Sequence, residues 1–353
     1  MSKPPLWPPR STRRARTLLA PLTALTLAGL LLASCATSAA PGAAPVVGVP
    51  SIGISVPLGR VACTLADACV ALGASNAGAG PSTTAEYRTV TGRWLGLATP
   101  SSPAPQFVAS ACSQADCLIG GAQAGDDLLW DFHGPDHTLT TLATPTGGVD
   151  VGALDCVGPA TCVTLDYDAH GAVRLSLTLD GGVTWSTPLV LPWAQGDTIA
   201  ALACHSTNDC LVGVNTPTGT AALEATHDAG VTWTGLDAAS SWSSLDALTC
   251  RERSCVALVE RQGGQRLLHS TTFGRTWRGV DVAARAAALA CTSLRHCVLV
   301  GQSTTGAPWL AQVTGDVVSA RALKYVAAPL VDVACGTTTC AAVAATTVLA
   351  FAP

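Results

Sequence analysis

The sequence predicts an all-β fold: a seven-bladed β-propeller of four-stranded antiparallel blades, with an N-terminal strand closing the last blade. Three observations carry this expectation. Fourteen of the fifteen cysteines fall into seven close pairs that recur with a period in the forties. Short apolar runs flank every pair. The seventh repeat is too short to complete a blade by itself.

The pairs are Cys63/Cys69, Cys112/Cys117, Cys156/Cys162, Cys204/Cys210, Cys250/Cys255, Cys291/Cys297 and Cys335/Cys340. Their first members lie 49, 44, 48, 46, 41 and 44 residues apart, the spacing of a repeat architecture. Runs such as "GALDC" precede the first cysteine and runs such as "CVTLD" follow the second. Apolar runs this short, bounded by polar turns, fit strands and leave no room for helices of ten residues. Residues opposed in an antiparallel pair lie within disulfide reach, so each pair is expected to staple one hairpin. A loop this short contributes roughly 2 kcal/mol per bridge. Zinc is the rival use of paired cysteines, but the gaps exceed those of zinc knuckles and no histidine recurs with them.

Blade three shows the full unit: strands at "VGALDC", "CVTLDY" and "VRLSLTL", a turn "DGGV", and a fourth strand at "TWSTPLVL". Four strands in about 45 residues make a propeller blade. Ala62, Ala111, Ala203, Ala290 and Ala334 precede the first cysteine in five repeats, small enough for strands crowded around an axis. After Cys340 only "AAVAATTVLAFAP" remains, enough for two strands. The segment 50–59, "PSIGISVPLG", is expected to supply the missing strand, which removes the exposed edges of an open sheet.

The turn "TLDGGVTW" returns as "THDAGVTW" and, altered, as "STTFGRTW". It resembles the Asp-box, or BNR repeat, of sialidase-like propellers. The resemblance implies a structural joint between strands three and four. Asp180 and Asp228 are suited to accept backbone amides, and Gly182, Gly230 and Gly274 to take positive φ. Trp185, Trp233 and Trp277 would bury their faces between blades. Blade five has Thr272 in the Asp place, and blade one keeps only "TGRW".

The family includes sialidases, so a glycoside hydrolase is the alternative function. Against it, the chain lacks the Phe/Tyr-Arg-Ile-Pro segment that carries the first arginine of that family, and among its few glutamates and tyrosines only Glu86 and Tyr87 are neighbours.

Residues 1–34 read as an export signal: Lys3, Arg10, Arg13, Arg14 and Arg16, then an apolar stretch. "LASC", ending at Cys35, resembles the lipobox of bacterial lipoproteins, which implies cleavage before Cys35 and a lipid on its sulfur. An ordinary signal peptide is the plainer reading, yet Cys35 has no partner among the paired cysteines. Arg13–Arg14 leaves Sec and twin-arginine export both open. Residues 35–50 read as a flexible tether and 51–353 as the propeller. Without residues 1–34 the chain has 14 Lys plus Arg against 23 Asp plus Glu, a net charge of −9. That balance argues against nucleic acid as a partner.

Strand alternation places the cysteine hairpins and Trp turns on one face. The loops between strands two and three and the links between blades lie on the other, which is the expected binding face. Its candidates are Asp166, Tyr167, Asp168, His170, Trp193, Trp242, Glu260 and Arg261. The two tryptophans would be contact anchors or caps on the core. "DFHGPDH", Asp131 to His137, is read as a polar turn in preference to a metal site. No cofactor and no catalytic residue is assigned. The expected role is a monomeric, non-catalytic, lipid-anchored scaffold on the extracytoplasmic side of the membrane, binding a protein, peptide or glycan of the cell envelope. Resemblance to Asp-box proteins also admits an assembly or folding-assistance role.

Overall fold

Each second strand of the repeat is buried on both sides, which explains its unbroken apolar run. In blade five, Cys255, Ala257 and Val259 pack toward blade four, while Val256 and Leu258 pack toward blade six. The structure is a computed structural model that describes residues 47–50, 57–75, 82–89, 92–99, 105–236, 241–293, 295–323 and 326–353. Among these residues there are seven four-stranded antiparallel sheets and no helix. The expected signal, Cys35 and most of the expected tether lie outside the described residues.

The innermost strands are Leu58–Cys63, Gln106–Cys112, Gly148–Cys156, Thr198–Cys204, Ser244–Arg251, Arg285–Ser293 and Asp332–Cys335. They surround a central channel of about 350 Å³ lined largely by alanine. Six of the seven carry a β-bulge near the end away from the cysteines, for example between Ile199 and Ala201 and between Leu245 and Ala247. A bulge bends the strand and sharpens its twist, as a crowded ring requires. Glycines of the second strand admit the bent backbone: a Cβ on Gly121 would lie 1.8 Å from the Gln106 carbonyl oxygen, and one on Gly301 2.2 Å from that of Arg285.

All seven cysteine pairs are disulfides between directly opposed residues of one hairpin, with Cα atoms 4.0–4.1 Å apart. Cys112 thus bridges to Cys117, Cys250 to Cys255 and Cys291 to Cys297. The second cysteine of every pair is buried. Cys117 is 0% exposed and packs with Ile119, Trp130 and Phe132 between blades one and two. Cys297 is 3% exposed and packs with Leu299 and Val313 between blades five and six. Cys69, Cys162, Cys210, Cys255 and Cys340 take the same place in the other seams. The cause is the second strand itself, which starts at or beside this cysteine and is covered by a blade on either side. These sulfurs therefore belong to the core as well as to the staples.

The apolar core is divided into seven clusters, each between two consecutive blades. The one joining blade seven to blade one sets Ala341, Val343 and Val348 against Leu58, Val61 and Trp94. Polar clasps reinforce the seams. Asn215 accepts the Leu245 amide at 2.9 Å and donates to its carbonyl at 3.0 Å. Gln265 treats Ala286 likewise, at 2.7 and 3.0 Å. Across the closing seam the Asp67 carboxylate accepts the Thr338 and Thr339 amides at 2.8 and 2.9 Å.

Two expected strands are placed differently. An N-terminal strand does close blade seven, but it is Val47–Pro50, paired with Thr347–Phe351, and not 50–59. Leu58 and Gly59 begin the innermost strand of blade one, which needs all six residues up to Cys63. Residues 51–56 lie outside the described residues. The fourth strand of blade three shrinks from the expected eight residues to Leu189–Val190. Ser186 takes over the preceding ladder position, donating its amide to the Leu177 carbonyl at 2.8 Å and accepting the Leu177 amide on its hydroxyl at 2.9 Å. Pro188 cannot donate, and an outer edge tolerates such a break.

The closing strand gives a direct test. A chain that begins at residue 51 should melt roughly 5–10 °C below one that begins at residue 44, because several backbone hydrogen bonds and one seam are weakened. Equal melting temperatures would contradict closure by Val47–Pro50.

Candidate functional site

Disulfides and Trp turns share one end of the blades, the cysteine rim, because Thr178 opposes Cys162 and Thr226 opposes Cys210 in register. In blade three the Asp180 carboxylate accepts the Thr184 amide at 2.8 Å and the Thr178 hydroxyl at 2.8 Å. Asp228 repeats this with Thr232 and Thr226 at 2.8 and 2.9 Å. The hydroxyl and amide of Thr184 and of Thr232 hold both carboxyls below the usual carboxylate range. In blade five the Thr272 hydroxyl takes the carboxylate's place, accepting the Thr276 amide at 2.9 Å. Gly182 and Gly230 have φ of 91° and 86°, and a Cβ on either would meet a leucine of the preceding blade at 2.9 Å. Trp185, Trp233 and Trp277 are half-buried against the seam with that blade. These turns are joints, with every strong acceptor already used.

The opposite face carries a depression of about 1050 Å³ that spans blades five to seven. It is lined by the blade-five loop at Gly263–Gly264, the link Val282–Ala284, the start of the blade-six inner strand at Arg285–Ala287 and the link Pro329–Val331. Its floor is apolar: Val282, Ala284, Ala286 and Leu330 are all buried. Its polar groups are Asp246, Glu260, Arg285 and Gln302. Asp246 is the bulged residue of the blade-five inner strand. Its carboxylate accepts the Ser244 hydroxyl at 2.9 Å and the Gln265 side-chain amide at 2.7 Å. Asp246 and Ala287 also line the central channel.

Of the residues expected on this face, only Glu260 lines the depression. Arg261 lies in the neighbouring hollow with Trp242, Arg266 and Asp281. Trp242 is 3% exposed and packs edge-on against Trp277 at 5.7 Å, so it is core and not a contact anchor. Trp193 is partly buried, edge-on to Trp233 at 5.3 Å. The Tyr167 hydroxyl accepts the Ile199 amide at 2.7 Å and joins blade three to blade four. Asp168 caps its own turn through the His170 and Ala172 amides at 2.8 and 2.9 Å, and His170 stands exposed there. Asp166 is fully buried, bound by the Arg174 guanidinium at 2.6 Å. Its loop position suggested exposure, but the strand extends one residue past Tyr167 and turns Asp166 inward.

Burial creates a group of carboxyls that sequence reasoning did not single out. Arg174 binds Asp166 directly and also acts on Asp127, which feels the nearby Asp150 as well. Burial and the nearby Asp166 charge push the Asp127 carboxyl up to about 7, and neither of its oxygens has a hydrogen-bond partner. Burial raises Asp166 to about 6 in spite of Arg174. Asp155, beneath the cysteine rim, is raised to about 7 by burial although it accepts the Cys204 and Cys156 amides. None of the three lines the blade-five-to-seven depression. Glu86 is likewise buried, and Tyr87 packs into the seam of blades one and two and against His137 at 4.3 Å, so the two side chains point to opposite faces of their strand.

The segment Asp131–His137 ends the third strand of blade two and turns at the cysteine rim. His133 contacts the Asp116 carboxylate through Nδ1 and lies 3.4 Å from Asp136 through Nε2. Among the described residues no group of three or more His, Cys, Asp or Glu side chains is arranged to hold a metal ion.

The architecture is that of a β-propeller. No protein-family signature matches the chain, and no curated protein is detectably similar to it in sequence. Solved structures share its fold. YCF48 bound to D1 peptide superposes with a TM-score of 0.61 at 12% identity, over 90% of this chain and 99% of that one. Virginiamycin B lyase from Staphylococcus aureus gives 0.59 at 10% identity, over 88% and 99%. The WD40 β-propeller domain of Doa1 gives 0.57 at 12% identity, over 85% and 94%. Likeness at this level concerns fold alone, so function has to be argued from the site.

Two outcomes follow from these placements. Replacing Trp242 by Ala should cost about 3–5 kcal/mol in guanidinium unfolding, and Trp193→Ala clearly less; a neutral Trp242→Ala would return that indole to the surface. The raised carboxyls bind protons in the folded state that the unfolded chain releases near pH 4. Their stabilisation is therefore present below about pH 4 and is lost as pH rises through about 6 to 7. Asp180 and Asp228 act oppositely, losing their contribution in stronger acid. The melting temperature should peak on the acidic side of neutrality, and Asp127→Asn should flatten its fall toward pH 8. A melting temperature that climbs from pH 5 to 8 would contradict this.

Proposed function

We propose that the chain is a lipid-anchored, extracytoplasmic scaffold whose depression over blades five to seven holds an extended peptide segment of an envelope protein. One observation carries the reading: a depression of about 1050 Å³ with a buried apolar floor and a rim of mixed charge. A lining with several alanines and glycines lets another backbone approach closely, and Glu260, Asp246, Arg285 and Gln302 offer both donors and acceptors around it. The seven disulfides suit an oxidising compartment, as the export signal implies. The lipid at Cys35 rests on the "LASC" segment, and the scaffold acts as a monomer.

A photo-crosslinking amino acid at Thr304, beside the depression, should yield a defined adduct in intact cells, and one at Asn208 on the cysteine rim should not. Filling the depression with Ala287→Trp should reduce the Thr304 adduct about tenfold, the size of a 1.4 kcal/mol loss. Adducts of equal yield at both positions, or a Thr304 adduct indifferent to Ala287→Trp, would overturn the assignment.

A further inference from the structure

We propose that the cysteine rim of blades five and six is a docking surface for the anionic phospholipid headgroups of the membrane that carries the anchor. The inference rests on the reading of Cys35 as lipidated for its geometry, and on the described residues for its chemistry.

Charge is the first observation. Without its signal the chain carries a net −9, yet Arg251, Arg253, Arg275, Arg278 and Arg295, five of its thirteen remaining arginines, gather on this arc. All five are exposed. Arg251 and Arg253 flank the tip of the blade-five cysteine hairpin, and Arg275 lies in the Trp turn of the same blade. These two turns touch, because the Phe273 amide donates to the Arg253 carbonyl at 2.8 Å. Arg278 opens the outer strand of blade five. Arg295 stands at the tip of the blade-six hairpin, where its carbonyl accepts the Gly315 amide at 2.8 Å. Among the described residues none of the five guanidiniums pairs with a carboxylate. The acids of the same arc are Glu252 and Asp316. Asp116, Asp136, Asp180, Asp209 and Asp228 occupy the other arc of the rim, over blades two to four. Arg88 and Arg93 add two cations at the blade-one part of the rim, so its basic residues lie over blades five, six and one and its acids mainly over blades two to four.

The path of the chain is the second observation, independent of charge. Val47 opposes Ala350 and Pro50 opposes Thr347, while Phe351 opposes Cys340. Val47 thus lies at the cysteine-rim end of blade seven, next to blade six. Eleven residues separate it from Cys35. At no more than about 3.6 Å per residue they span at most about 40 Å. None of the five arginines lines the blade-five-to-seven depression, the neighbouring hollow or the central channel. Laterally mobile headgroups can meet cations scattered over loop tips. Each arginine near an anionic surface strengthens binding about fivefold, and salt weakens the attraction.

The test uses a soluble form beginning at residue 36, which includes all of the compact unit Ala44–Pro353. It should sediment with vesicles of phosphatidylcholine containing about 30% phosphatidylglycerol, not with phosphatidylcholine alone, and should be released at about 0.5 M salt. The variant R251Q/R253Q/R275Q/R295Q should bind at least about a hundredfold more weakly with an unchanged melting temperature, and the corresponding four-lysine variant should bind as the parent does. Binding that ignores lipid charge, or survives the glutamine substitutions, overturns the proposal. So does a four-lysine variant that melts normally and fails to bind. Loss of the Thr304 adduct would instead count against the peptide-binding reading, so the two failures are distinguishable.

Discussion

No blade of this ring can bury its own apolar surface. Its two faces are covered only by the blades before and after it, and the seven core clusters all straddle consecutive blades. A chain of such repeats has two uncovered ends unless it closes. Closure joins Val343 and Val348 to Leu58 and Val61, and it is secured by a strand from the opposite end of the chain. Small inner residues, bulges and glycines opposite the bulges are all consequences of bringing seven inner strands around one axis.

The disulfides have a narrower role. They lock hairpins and span five or six residues, so they stiffen each blade without covalently linking one blade to another. Contact between blades is left to packing, in which the buried sulfurs of Cys117 and Cys297 take part, and to polar clasps such as Asn215 on Leu245 and Gln265 on Ala286. The same blade-five clasp holds Asp246, which lines both channel and depression. Stability of the ring and shape of the candidate site therefore depend on the same residues. The faces differ in what they leave free. The Trp turns use their carboxylates internally, whereas the depression keeps Glu260 and Arg285 at its rim.

Much of the fold was legible because burial on both sides leaves a mark on sequence. Runs such as "CVALV" have no polar interruption, and the cysteines fix their register. The closing strand was misplaced because Val47–Pro50 lies in a run of small residues that resembles a tether, while 50–59 has a more strand-like composition. The site was less legible. Glu260 was found from its loop position, but Asp246 reaches the depression through a bulge that no local pattern announces. Trp242 has the composition of a contact and the environment of a core residue, a distinction made by the neighbouring Trp277. The clasps and the buried group around Asp127 depend on backbone from another blade, which spacing within one repeat does not reveal.

Hydrogen exchange under native conditions tests the closed ring most directly. In an open array the terminal repeats fray first, whereas a closed ring has no terminal repeat. Amides of Cys69–Ser75 in blade one and Cys340–Ala344 in blade seven should be protected to the same degree as those of Cys210–Asn215 in blade four. Exchange of the first and last blades well ahead of the middle ones would show that the seam between them does not hold, and the account built on it would fail.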